Sequence, residues 1–146
     1  MEISLARVEH IEDLSELFDR YRIFYNQSSN LKAARKFLED RFHNHDSIIF
    51  VANDNSQMVG FTQLYPSFSS VSMQRIWILN DLFVRETYRG RGAAKLLMDA
   101  AEKYARETSA VRVVLATQVS NTVAQSLYES RGYIRDEKFY HYTLNL

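Results

Sequence analysis

The alternation of apolar and polar residues changes period several times along this chain, and each change marks an element. Residues 3–8 alternate over a span suited to a short strand. From Ile11 onward, apolar side chains recur at steps of three and four (Ile11, Leu14, Phe18, Tyr21, Tyr25), which is the spacing of an amphipathic helix. Asn26, Gln27, Ser28, Ser29 and Asn30 break that pattern with turn formers. A second helical stripe then carries Leu31, Ala34, Leu38 and Phe42. Residues 47–52 contain a continuous apolar run, Ile48-Ile49-Phe50-Val51, of strand length. Asn53-Asp54-Asn55-Ser56 is a turn signal and residues 58–65 read as the returning strand, so the pair predicts a hairpin. Residues 66–72 form a Ser-rich loop, and a long strand follows over residues 75–84.

Beyond a glycine-bearing turn, Ala93, Leu97, Ala100, Ala101 and Tyr104 give a strong helical stripe. Residues 111–117 predict a strand apolar enough to be covered on both faces. Residues 121–131 predict a short helix, which Gly132 ends in the left-handed conformation that favours glycine. Residues 133–135 and 139–144 read as short strands around Asp136-Glu137-Lys138. The predicted order is β-α-α-β-β-β-α-β-α-β-β in a single domain over residues 1–146. Hairpins in the middle and a strand–helix–strand crossover near the end predict an α/β (α+β) fold, one mixed sheet with helices on its faces.

Composition narrows the chemistry more than the fold. The 146 residues include no cysteine, which excludes a disulfide framework, a thiolate metal site and a cysteine nucleophile. Lys+Arg and Asp+Glu balance at 18 each, so there is no long-range field to draw nucleic acid or an anionic membrane, and neither is expected as a partner. His43 and His45 are too few to ligate a metal, and none is expected. No signal-peptide-like apolar stretch opens the sequence and none reaches transmembrane length, so a cytoplasmic location is expected.

The chemically informative stretch is the turn itself. Leu79-Asn80-Asp81-Leu82-Phe83-Val84 leads as a strand into Arg89-Gly90-Arg91-Gly92, and a helix begins at Ala93-Ala94. Helix N-termini present unpaired N–H groups and a partial positive charge, and so hold anions, phosphates above all. Glycines allow a close approach, and two arginines add charged donors. A plain strand-to-helix turn with solvated arginines is the alternative. Other phosphate loops fit poorly. The Gly-x-x-x-x-Gly-Lys-Ser/Thr of a P-loop is absent, and the dinucleotide fingerprint would need a small residue at Lys95 and an acid where the next strand ends at Thr117.

Arg89-x-x-Gly92-x-Ala94 resembles the Gln/Arg-x-x-Gly-x-Gly/Ala motif of the GNAT acetyltransferase superfamily. Asn121-x-x-Ala124-x-x-x-Tyr128-x-x-x-Gly132-Tyr133 resembles the second signature of that family, in the right order and separated by a helix and a strand. The resemblance is sharp over residues 76–135. It implies a mostly antiparallel central sheet with helices on both faces, and transfer of an acetyl group from acetyl-CoA to a primary amine in a ternary complex. The acceptor is a small molecule such as a polyamine or amino acid, or a protein lysine or N-terminus. A catalytically silent acyl-CoA-binding sensor is the alternative, and a homodimer is an arrangement common among relatives.

By the same resemblance, Arg89, Gly90, Arg91, Gly92, Ala93 and Ala94 hold the CoA pyrophosphate through their backbone. Leu82, Phe83 and Val84 offer backbone groups to the pantetheine arm, beside a bulge expected near Asp81-Leu82. Asn121, Ala124 and Tyr128 stand at i, i+3 and i+7, on one helical face. Tyr128 is the candidate acid that protonates the leaving thiolate, while Asn121 bonds pantetheine, caps its helix, or both. Relatives place a glutamate base where this chain has Asn80. Asp81 is then the candidate base if a bulge brings it round; otherwise a water chain serves. Tyr21, Arg22, Tyr25, Tyr65 and Asn80 are candidates for the acceptor pocket, with Trp77 on the strand just beyond Tyr65, and Arg22 could select a carboxylate-bearing acceptor.

Overall fold

The computed structural model describes residues 1–146, whose contacts divide them into two units, residues 1–115 and 116–146. The first unit contains β1 (Glu2–Leu5), α1 (Ile11–Phe24), α2 (Leu31–Asn44), β2 (Ile48–Asp54), β3 (Gln57–Ser69), β4 (Gln74–Val84), α3 (Ala93–Glu107) and β5 (Arg112–Val114). Its five strands form one sheet in the order β1-β2-β3-β4-β5. Neighbours pair antiparallel except β4 and β5, which are parallel because α3 carries the chain back between them. The fold class read from the sequence is therefore the fold observed.

Strand alternation sends the two faces of this sheet to different helices. Ile49, Val51, Met58, Phe61 and Phe83 pack with Ile11, Leu14, Leu17 and Phe18 of α1 and with Ala34 and Leu38 of α2. Ala52, Val59 and Val84 pack instead with Ala93 and Leu97 of α3. The helical stripes seen in the sequence are these buried faces. Between α1 and α2, Asp19 is 7% exposed and accepts from Ser29 Oγ at 2.7 Å and from the Asn30 amide at 2.8 Å, which ties the turn down.

Several boundaries differ from expectation. β3 continues through Pro66 to Ser69, paired with β4, where a loop was expected from residue 66. β2 reaches only as far as Leu64 on the other side of β3, so beyond that point one side of β3 is an edge and tolerates a residue with no N–H. β5 is confined to residues 112–114 rather than 111–117. Taken by itself, the unit 116–146 contains α4 (Thr122–Ser130) and no strand. The strands expected at 133–135 and 139–144 are not formed there, because alternation supplies a face but a strand also needs a ladder partner.

At Gly60 the two sides of the sheet come close. A Cβ there would lie 2.9 Å from the Phe83 carbonyl oxygen, 3.2 Å from Leu97 Cδ1 and 3.3 Å from Val84 Cγ2. The backbone oxygen cannot swing aside as a flexible side chain could. Gly60→Ala should cost about 1–3 kcal/mol of stability, as overpacking typically does. Urea unfolding checks this; an unchanged midpoint would mean that β3 and β4 separate there without strain.

Candidate active site

The β3–β4 ladder pairs Gln63 with Asp81 and then Leu64 with Leu79, so Asn80 is an extra residue on β4. This bulge sits one residue before the expected position, and it settles where Asp81 points. Without it, residues 77, 79, 81 and 83 would share a face. With it, Trp77 faces α3, its Nε1 donating to Thr108 Oγ1 at 2.9 Å and its ring 5.3 Å from that of Tyr104. Phe83 lies instead against α1, its ring 6.1 Å from that of Tyr21. Asp81 shares the Phe83 face, in register with Gln63, which stands two residues from Phe61 on β3. Trp77 therefore does not line the same site as Asp81.

Asp81 is 4% exposed and carries three donors. Gln63 Nε2 donates to Oδ2 at 2.8 Å, Asn80 Nδ2 to Oδ1 at 3.1 Å, and the Tyr21 hydroxyl to the carboxylate as well. These donors favour the charged form, but burial outweighs them and holds the Asp81 carboxyl above the usual carboxylate range. Burial likewise raises the Tyr21 phenol, reinforced by the Asp81 charge and hydrogen bond, and pushes the Tyr65 phenol up to about 12. The Tyr25 ring is 5.0 Å from that of Tyr21. The structure thus gathers Tyr21, Tyr25, Tyr65, Asn80 and Asp81, and adds Gln63. The sequence carried a signal for Gln63: a polar residue at alternate spacing between Phe61 and Tyr65, two positions from each. Arg22 is placed elsewhere, its guanidinium donating to the Ser28 carbonyl at 3.1 Å.

The other edge of β4 is open. β5 pairs with β4 only at residues 76–78, so the stretch from Leu79 to Val84 extends past it. The Arg85 N–H bonds the Val59 carbonyl of β3 at 2.7 Å, and alternation then turns the N–H and C=O groups of Leu82 and Val84 away from β3, toward the open side. The side chains of Phe83 and Val84 are buried in the two cores. The strand ends at Val84, and a 3-10 turn at Glu86–Tyr88 leads to the glycine turn, where Gly90 and Gly92 have φ of +76° and +86°, a region that favours glycine. Gly92 caps α3 without a side-chain acceptor, and the helix ladder begins with the Leu96 N–H on the Gly92 carbonyl at 3.1 Å. The N–H groups of Ala93, Ala94 and Lys95 precede that first bond, and no acidic side chain lies in the first turn. A Cβ at Gly90 or Gly92 would meet nothing within 4 Å, so the loop surface has room for a ligand.

The two arginines of the turn make different contacts. Arg89, though exposed, folds back along the strand: its Nε donates to the Val84 carbonyl at 3.0 Å, and its guanidinium lies 5.3 Å from the Phe24 ring and 5.5 Å from the Phe83 ring. The Arg91 guanidinium lies 5.1 Å from the Tyr88 ring. In the unit 116–146, the Asn121 side chain caps α4 by accepting from the Ala124 amide at 3.1 Å. Tyr128 stands one turn beyond Ala124, and its carbonyl receives the Tyr133 N–H at 3.1 Å across Gly132, which has φ of +88°.

The model of the acetyltransferase (GNAT) family matches residues 11–133. The uncharacterized N-acetyltransferase YhfO of Bacillus subtilis (strain 168) is 47% identical over 146 residues, covering 100% of this chain and 98% of its own. A crystal structure of a probable acetyltransferase superposes with a TM-score of 0.95 at 45% identity, covering 100% of this chain and 98% of that one. The aminoglycoside N-acetyltransferase AAC(6')-Iy, solved in complex with CoA, shares the fold with a TM-score of 0.82 at 19% identity, over 99% of this chain and 95% of that one.

The raised Asp81 predicts a pH signature in stability. Between the ordinary carboxylate value and the raised one, the folded protein holds a proton that the unfolded chain has lost, so stability falls as pH rises through that interval. Asp81→Asn cannot titrate. The Tm of this variant minus that of the wild type should grow more positive as pH rises above about 4. A constant difference would mean that Asp81 titrates as it does in the unfolded chain.

Proposed function

Since this chain belongs to the acetyltransferase (GNAT) family, we propose that it transfers the acetyl group of acetyl-CoA to a primary amine by direct attack in a ternary complex. The observation that carries this reading is the open edge of β4 at Leu82 and Val84, followed through a short 3-10 turn and the glycine turn by the N-terminus of α3, which no side chain caps. An extended amide-bearing chain ending in a pyrophosphate matches that pair of features: backbone groups for the amides, then free N–H groups for the phosphates.

Acetyl-CoA supplies the thioester carbonyl that the amine attacks, forming the N–C bond of an amide and releasing the thiol. Gly92, Ala93 and Ala94, with the backbone of Arg89, Gly90 and Arg91, hold the pyrophosphate. Leu82 and Val84 bond the pantetheine, and Phe83 contributes to the core between them. An alkyl amine is mostly protonated near neutral pH, and its neutral form, having released one proton to solvent, is the one that attacks. The nitrogen sheds a second proton as the amide forms, and Asp81, whose proton affinity burial raises, accepts it. Tyr128 returns a proton to the departing sulfur, and Asn121 and Ala124 set the start of the helix that carries it. Tyr21, Tyr25 and Tyr65 offer ring faces and phenol oxygens to the amine, which suits a cationic acceptor.

The acceptor class is open to a direct screen that follows CoA thiol release across polyamines, amino acids, aminoglycosides and lysine peptides. Acetyl-CoA binding with no thiol release from any of them would instead make the chain an acyl-CoA-binding sensor. Tyr128→Phe should lower kcat roughly 100-fold or more, with acetyl-CoA affinity little changed; an unchanged kcat would remove Tyr128 from the chemistry. Gly92→Glu should abolish CoA binding measured by calorimetry, since the side chain puts bulk and negative charge where the phosphates sit. Retained affinity would mean that the phosphates bind elsewhere.

A further inference from the structure

Asp81 is poorly placed to meet an amine directly. It is 4% exposed, and each of its oxygens already holds an amide donor, Gln63 Nε2 at 2.8 Å and Asn80 Nδ2 at 3.1 Å. Amide N–H groups donate but do not pass protons on. The third donor differs in kind: the Tyr21 hydroxyl can give up one proton while accepting another on the same oxygen. Its position is fixed, with ring centroids 6.1 Å from Phe18, 5.0 Å from Tyr25, 5.7 Å from Phe61 and 6.1 Å from Phe83. Asp81 and Gln63 are buried, whereas Tyr21 is only partly so. Tyr21 is thus the one donor on the carboxylate that can pass a proton on.

We propose that Tyr21 relays the amine proton to Asp81. The proposal rests on the reading of Asp81 as the base. As the amine nitrogen bonds the acetyl carbon and the C–S bond breaks, the amine N–H proton passes to the Tyr21 oxygen. The proton that Tyr21 held passes to the Asp81 carboxylate in the same event. Tyr21 ends as it began, Asp81 ends neutral, and no phenolate accumulates. That last point matters, because burial and the Asp81 charge both disfavour an ionised Tyr21. The other ionisable groups facing this pair are Tyr25 on α1 and Tyr65 on β3. Tyr65 accepts a hydrogen bond from Gln63, and Asp81 acts on it only through its charge. The relay also removes the need for an acid at Asn80, since the proton reaches the bulged strand one residue later.

Tyr21→Phe tests this cleanly, because it keeps the ring and its packing and removes only the hydroxyl. Kinetics would use acetyl-CoA and the amine of the screen with the highest turnover. Expected are a kcat lower by about 100-fold or more, and an acetyl-CoA KM within about threefold of wild type. The dependence of rate on deuterium content should be curved in the wild type, from two protons moving together, and linear in the variant. Independently of any acceptor, the Asp81 carboxyl carbon followed by NMR should titrate at higher pH in Tyr21→Phe, because a donor to the charged form has been lost. A kcat within about threefold of wild type, or an Asp81 titration that does not move, overturns the relay. Asp81→Asn separates the two ideas. Its inactivity beside an active Tyr21→Phe would keep Asp81 as base and discard Tyr21 alone, whereas retained activity in Asp81→Asn would discard both.

Discussion

A β-strand alternates its side chains with a period of two, and β4 breaks that period once, where the ladder to β3 steps from Asp81 to Leu79 and leaves Asn80 over. Everything on the β4 face toward α1 depends on that step. It sends Trp77 to α3, and it sets Asp81 beside Gln63 and beneath Tyr21. The cost is a carboxylate shut away from water, offset in part by three hydrogen bonds. A buried carboxyl group with partial compensation keeps a raised proton affinity. That property serves no packing purpose and suits a group that must take a proton from an amine.

The second constraint is an absence of pairing. β4 is eleven residues long, while its parallel neighbour meets it at only three. Backbone groups on a strand must find partners, and those of Leu82 and the N–H of Val84 turn outward beyond the reach of β5, while the Val84 carbonyl accepts from Arg89. The chain then enters α3 through two glycines at positive φ, leaving the first N–H groups of the helix without intrahelical acceptors. Arg89 braces this junction on the Val84 carbonyl and the rings of Phe24 and Phe83. Its bonding makes it part of the frame of the loop, with the backbone left to meet the ligand.

Much of this was legible from residue order. The stripes of α1, α2 and α3 appear as helical spacing because each packs one face on the sheet, and the glycine turn announces itself by composition. The partners of Asp81 were harder to read. A bulge changes which residues share a face but leaves almost no mark in the alternation, so the sequence allowed two orientations for Asp81 and suggested the wrong neighbour in Trp77. Gln63 went unnoticed although its place between Phe61 and Tyr65, two positions from each, was a clue. The roles of Arg22 and Arg89 could not be read either: their bonds to the Ser28 and Val84 carbonyls depend on where those carbonyls point. The two short C-terminal stretches show the converse limit, since alternation without a ladder does not make a strand.

The central claim is that the open edge of β4 and the first turn of α3 together form one acetyl-CoA slot. It is tested most directly by following backbone amide resonances during an acetyl-CoA titration. The account predicts saturable shifts, with one common affinity, at Leu82 and Val84 and at Gly90, Gly92, Ala93 and Ala94. Saturable binding that leaves these amides unmoved, or that moves only one of the two groups, would contradict it.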